Sequence, residues 1–149
     1  MINNKITLSL WFHSDDGKME QVTTYYATIF KDNFRSYTPT SLGETPGGYA
    51  EMCKIELFDN PYVFMTTAAL HHPFNDAFAI IIHCQNQEEI DHYWNYFTKD
   101  GKESMCGWCN DKFGLRWQII PDNFEEIMKN PNAAQVMYTQ SKIVIADYF

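Results

Sequence analysis

The stretch CGWCNDKFGLRWQIIP, running from Cys106 to Pro121, combines a chain reversal, a strand and a cysteine pair. Asp111 to Gly114 has the polar and glycine chemistry of a tight turn. Leu115 to Ile120 then reads as a strand, which Pro121 ends because proline cannot donate to a ladder. Side chains alternate along a strand, so Leu115, Trp117 and Ile119 share one face while Arg116, Gln118 and Ile120 share the other. That second face sets a guanidinium and a carboxamide beside an aliphatic group, the mixture expected of a pocket wall.

Upstream of this strand the pattern is regular. Ala77 to Cys84 (AFAIIIHC) reads as a strand, and Asn86 with Glu89 three residues on is a capping-box signal for a helix. That helix places Ile90, Tyr93, Trp94 and Phe97 at i, i+3, i+4 and i+7, hence on one face. Short strand candidates at Lys102 to Met105 and Gly107 to Cys109 precede the strand of Leu115 to Ile120. The order is strand, helix, three strands. The first half of the chain repeats it without repeating the residues. Ile6 to Phe12 is the strand, and Val22, Tyr25, Tyr26 and Ile29 form the helical quartet. Phe34 to Pro39, Tyr49 to Phe58 and Tyr62 to Thr67 are the three strands, with turns at Pro46-Gly47-Gly48 and Asp59-Asn60-Pro61. Beyond Pro121, Asp122 or Asn123 caps a short helix through Met128, and Asn130-Pro131 starts another that runs to about Gln140. Ile143 to Phe149 is apolar, ambiguous between helix and strand, and is expected to pack on its own module or on a second chain.

The chain of 149 residues has 11 Lys and Arg against 19 Asp and Glu, a formal net charge of −8. Such an excess repels nucleic acid and anionic membrane surfaces, so neither is an expected partner. No apolar run reaches the length of a membrane span, and the start, MINNKITLSLWF, lacks the features of a signal peptide. The expected location is the cytoplasm. The 4 cysteines are too sparse for a disulfide-stapled secreted domain, so reduced thiols are the default. The 9 Tyr, 11 Phe and 4 Trp suggest a ring-lined cavity or a buried interface, and composition does not separate the two.

A doubled strand, helix, three-strand chain of this length resembles the vicinal oxygen chelate superfamily, which includes glyoxalase I, bleomycin-resistance proteins and extradiol dioxygenases. Within it, ITLSLWF, FNDAFAIIIHCQNQEEIDHYW and CGW with DKFGLRWQIIP resemble the PhnB-like family, sometimes labelled demethylubiquinone methyltransferase-like. The resemblance implies an α+β fold of two βαβββ modules with curled mixed sheets and a C-terminal helical tail. The whole chain is then a single domain, with module 1 over about 1–70, module 2 over about 74–121 and the tail over 122–149.

The resemblance also implies a divalent metal held inside the sheets. Matching strands by pattern places its ligand positions at about Thr7, at Phe64 or Met65, at Ala79 and at Gln118. Of these only Gln118 offers a good oxygen donor for zinc, iron, nickel or magnesium, so no metal is expected at the usual site. The histidines supply no replacement set. His71 and His72 are adjacent in an extended link and point apart, while His92 lies between the apolar positions of its helix. His13 and His83 sit at strand ends, where each is either a pocket-edge acid or base or a structural residue.

Cys106 and Cys109 have CxxC spacing, yet a turn and a strand follow them rather than the helix N-terminus that lowers a redox thiol's pKa. The methyltransferase label fails too, because none of the 7 glycines forms a GxG turn between a strand and a helix. What remains is a small-molecule-binding protein, expected to be a homodimer. Its candidate pocket residues are Thr7, Ser9 and Trp11 from the first strand, with Trp108, Arg116 and Gln118 from the last module. Superfamily geometry implies that these two sets face one cavity. Arg116 then meets a carboxylate or phosphonate and the tryptophans stack on a flat ring; alternatively Arg116 faces solvent and the tryptophans are core. A metal-dependent lyase, isomerase or dioxygenase is the alternative class, and an interaction protein the third.

Overall fold

Two helical quartets organise the chain, each burying four side chains against a sheet of its own. The computed structural model describes residues 5–69 and 72–149. The chain divides between His72 and Pro73 into two compact units.

In the first unit, β1 (Leu8–His13) leads into α1 (Glu20–Phe30), whose Val22, Tyr25, Tyr26 and Ile29 are all buried. Then follow β2 (Phe34–Ser36), β3 (Thr40–Thr45), β4 (Gly48–Leu57) and β5 (Asn60–Thr67). β1 runs parallel to β5, and β4 pairs antiparallel with β5, β2 and β3. β2 and β3 are one strand interrupted at Tyr37-Thr38-Pro39. Their pairings with β4 are out of step by one residue, the signature of a bulge, and Pro39 has no N–H to give. The sequence reading of Phe34 to Pro39 as one strand therefore stopped short of Thr40 to Thr45. Strand alternation turns Leu10, Phe12, Cys53, Ile55 and Phe64 toward α1, where Phe12, Tyr26 and Phe64 pack ring on ring with centroids 4.7 to 5.9 Å apart.

The turn between β4 and β5 starts one position earlier than expected and is one residue shorter. Leu57 pairs with Asn60, so Phe58 and Asp59 are the loop, with φ of 48° and 64°. Positive φ at both centres makes this a type I′ turn, whose twist matches that of the strands, and Asp59 adopts that conformation readily. Asn60 and Pro61 are already in β5, and Pro61 lies beyond the end of β1, so its missing N–H costs no ladder bond.

In the second unit, β6 (Ile80–Cys84) precedes α2 (Gln87–Lys99), capped by Asn86 Oδ1 accepting from Glu89 N–H at 2.9 Å. Glu89 reaches back to the backbone of Gln85 rather than to Asn86 itself. Ile90, Tyr93, Trp94 and Phe97 are buried, and Phe97 stacks on Trp117 at 4.7 Å and 10°. β7 (Lys102–Glu103), β8 (Trp108–Asn110) and β9 (Arg116–Pro121) complete the sheet in the order β6, β9, β8, β7, with β6 and β9 parallel. Ten aromatic side chains thus lie buried in the two cores, among them Phe12, Tyr26, Trp94 and Trp117.

The turn of Asp111 to Gly114 is held by a buried carboxylate. Asp111 Oδ1 accepts from the N–H groups of Phe113 and Leu115, and its Oδ2 accepts from Trp117 Nε1 at 2.8 Å. Charged acceptors make strong bonds, and three donors repay much of the burial cost. After β9 come α3 (Phe124–Ile127), α4 (Ala133–Thr139) and a 3₁₀ turn at Ile145–Tyr148. This tail packs on its own module: Ile127, Ala133, Ile143 and Tyr148 form a buried cluster with Ile120 of β9. Gln140 locks it, donating to Val144 O and Asp147 Oδ2 and accepting from Val144 N–H and Tyr148 O–H. Among the described residues no helix is long and apolar enough to cross a membrane.

Candidate functional site

The face of each sheet turned away from its helix is where the candidate residues lie. In the second unit, cross-strand pairing places Ile81, Gln118 and Trp108 in one row, directly opposite one another. Asn110 and Arg116 form the row on one side, His83 and Ile120 the row on the other. Their parity is opposite to that of Trp117, Ile119 and Cys109, which are buried against α2.

Trp108 and Gln118 are half-buried, and Ile81 is 46% exposed. Neither the carboxamide of Gln118 nor the indole N–H of Trp108 has a hydrogen-bond partner among the described residues. A donor and acceptor fork thus stands beside an aromatic plane and an aliphatic side chain, with all three open to a ligand. The side chains of Asn110 and His83 on the adjoining rows are likewise unpartnered among the described residues.

Arg116 is differently placed. Its Nε donates to Asp76 Oδ1 at 2.8 Å, and its Nη1 donates to the carbonyls of Phe74 and Gly114 at 2.9 Å each. The guanidinium side chain is only 18% exposed and ties the Phe74 to Asp76 segment to the end of β9. It neither faces solvent freely nor presents an open fork to an anion.

In the first unit Ser9 and Trp11 share the open face with Val63, Met65, Met52 and Lys54, and Thr7 lies exposed just before β1. Trp11 is 42% exposed, so neither it nor Trp108 is a core residue. His13 ends β1 opposite Thr67. A separate groove of about 570 Å³ opens on the helix side of this unit, lined by residues that include Lys18, Glu20, Tyr37, Tyr49 and Glu51. Both oxygens of Glu51 are engaged there, by Met19 N–H at 2.7 Å and by Tyr49 O–H at 2.9 Å.

The residues do not fit the divalent metal that the fold implies. Met65 offers a thioether facing Trp11, Phe64 is buried against α1, Ala79 has no donor atom, and Gln118 is a neutral amide. Among the described residues no three His, Cys, Asp or Glu side chains are grouped to hold a metal ion. His71 lies outside the described residues, and His72 and His92 are exposed.

The cysteine pair is split by the sheet. Cys109 points into the core and is fully buried, which pushes its thiol up to about 12, with Asp111 and Glu103 adding to the effect. Cys106 sits in the turn before β8 with φ 60°, its N–H donating to Gln140 O. All four cysteines are free. Ile81 and Asn110 were not singled out from the sequence. The signal that finds them is the register of β6 and β8 against β9, which no local pattern contains.

Residues 4–120 match the protein family described as 3-demethylubiquinone-9 3-methyltransferase. No curated protein matches the chain. Among solved structures, the PhnB protein from Bacillus cereus is 26% identical, with a TM-score of 0.62 over 78% of this chain and 99% of that one. The fosfomycin resistance protein FosX from Listeria monocytogenes, solved with Mn(II) and 1S,2S-dihydroxypropylphosphonic acid, is 14% identical with a TM-score of 0.56, covering 86% of this chain and 99% of that one. FosX from Mesorhizobium loti is 12% identical with a TM-score of 0.56, covering 87% and 99%. The last two share the fold.

Proposed function

The chain belongs to the 3-demethylubiquinone-9 3-methyltransferase family, PhnB-like proteins of the vicinal oxygen chelate superfamily, and from that premise we propose that it binds a small molecule on the open face of its second sheet. The observation that carries the reading is the Trp108 and Gln118 pair, an unpartnered carboxamide beside an indole plane on an otherwise apolar row. Such a pair suits a flat or linear neutral molecule with an amide-like end, which can both donate to and accept from Gln118. The net charge of −8 disfavours an anionic ligand, and Arg116 is already committed to Asp76.

Neither the methyl transfer in the family's description nor the Mn(II) of the Listeria protein is carried over to this chain. Both sheets are mixed four- or five-stranded sheets rather than a doubly wound parallel one, and no glycine-rich turn joins β1 to α1 or β6 to α2. Of the positions that the resemblance assigns to the metal, only Gln118 offers a good oxygen donor. We further propose a cytoplasmic homodimer, on the strength of the open sheet faces and of Leu8, Trp11 and Ile81, which are exposed in the single chain.

The test is a titration with primary amides and benzamide, read by NMR at the Gln118 carboxamide and the Trp108 indole. Trp108→Ala and Gln118→Leu should each weaken binding by about tenfold, the effect of ~1.4 kcal/mol. Affinity unchanged in both variants would place the ligand elsewhere. Elemental analysis of untagged protein should find less than one transition metal per chain. One tightly held metal per chain would raise the metal-dependent enzyme above the binder. Light scattering should give twice the 17.5 kDa chain mass.

A further inference from the structure

Strand register in the first sheet sets Trp11 of β1 opposite Met65 of β5, and Met65 opposite Met52 of β4. All three point away from α1, because their parity is opposite to that of the buried Leu10, Phe64 and Cys53. Trp11 is 42% exposed and Met52 38% exposed, and Met65 between them is half-buried. His13 is two positions on from Trp11 along β1, exposed and on the same face. An indole, two thioethers and an imidazole thus share one patch across three adjacent strands.

Directly opposed residues of an antiparallel pair have Cβ atoms about 4.5–5.5 Å apart, so the flexible side chains of Met52 and Met65 can turn their sulfurs toward one point. His13 and Met65 are diagonal neighbours, about 7–8 Å apart at the backbone and within reach of each other's long side chains. Neither thioether nor the imidazole has a hydrogen-bond partner among the described residues. Thioethers are soft, neutral donors that select monovalent copper or silver and suit magnesium, manganese or zinc poorly. The indole face of Trp11 adds attraction for a cation held beside it. Lys54 shares the open face but is drawn the other way, its Nζ 5.2 Å from the ring centre of Tyr37 on the β2 and β3 side of β4. The net charge of −8 also favours a positive ion.

We propose that Met52, Met65 and His13 form a site for a soft monovalent ion, Cu(I), with the Trp11 ring packed against it. Met65 is one of the positions at which the resemblance places a divalent ligand, and a sulfur donor there prefers a different ion. The site does not depend on the ligand face proposed for the second sheet. Its donors lie on an open face and exchange the ion readily, so protein purified without added metal is expected to lack it.

The experiment titrates Ag(I), a redox-inert probe for Cu(I), into the full chain with isotope-labelled methionine methyl groups. The chain carries Cys106→Ser, since that half-buried free thiol would compete for a soft ion. One equivalent should shift the methyl signals of Met52 and Met65 and the indole N–H of Trp11, and leave buried Met19 and the tail's Met128 and Met137 in place. Zn(II) at the same concentration should shift none of them. Met52→Leu and Met65→Leu conserve volume on an open face and should fold normally. Each should weaken silver binding by about tenfold or more, as should His13→Ala. Unchanged affinity in any of the three variants would overturn the donor set. Absence of any methyl shift with silver, the result if a second copy of the chain covers this face, would overturn the site. Equal responses to Zn(II) and Ag(I) would overturn its preference for a soft ion.

Discussion

Gly107→Ala should be clearly more damaging than Gly114→Ala, and the pair of variants measures why. Both glycines have φ of 81°, so alanine at either position meets the same left-handed backbone cost of about 1–2 kcal/mol. Their surroundings differ. A Cβ on Gly114 meets nothing within 4 Å, whereas one on Gly107 lies 2.9 Å from Ile119 O and 3.1 Å from Ile143 Cγ1. Neither neighbour can yield easily, because Ile119 N–H is bonded to Gly107 O at 2.8 Å and Ile143 is fixed by Gln87. Overpacking of this kind adds about 1–3 kcal/mol. Gly114→Ala should therefore cost about 1–2 kcal/mol and Gly107→Ala about 2–5 kcal/mol, a gap of about 2 kcal/mol. At a urea m-value of about 2 kcal/mol/M the midpoints should differ by about 1 M. The assay is urea unfolding by tryptophan fluorescence in a Trp11→Phe background, so that Trp94, Trp108 and Trp117 report on the second unit. Equal midpoints for the two variants, with unchanged slopes, would refute the close approach of tail to turn.

Two further outcomes follow from the titrating groups. The bonds that Asp91 accepts from Gln87 and Lys142 hold its carboxyl below the ordinary range, so the folded state binds its proton less readily than the unfolded chain. The contribution is present above the unfolded pKa of about 3.9 and is lost as pH falls through the lower folded value. Amide shifts of Lys142 and Ile143 should move on acidification below about pH 4 and should cease to move with Asp91→Asn; an identical profile in that variant would rule the carboxylate out. Burial pushes the thiols of Cys84 and Cys109 up to about 12, so at pH 8 only about one in ten thousand is thiolate. Iodoacetamide with peptide mapping should find half-buried Cys106 labelled first, and Cys84 and Cys109 only on unfolding. Labelling of Cys109 at the rate of Cys106 would contradict its place in the core.

The two helices were legible because a helix that buries one face must repeat its apolar residues at helical spacing, and both quartets are buried as that spacing implies. The parity of Leu115 to Ile120 was legible for the same reason with period two: Trp117 and Ile119 are buried and Gln118 is half-exposed. The strand of Thr40 to Thr45 was missed because TSLGET has only Leu42 as a large apolar residue and pairs along the outer side of β4, where no core selects for alternation.

Local pattern thus determined the two long helices, most of the strands and which face of each is apolar. Those are properties of a residue and its near neighbours along the chain. Tertiary structure alone decided that Ile81 and Trp108 flank Gln118, that Arg116 is held by Asp76 forty residues away, and that Ile143 packs against Gly107. Strand register and long-range contact depend on which distant segments meet, and nothing in the spacing of side chains along one segment encodes that.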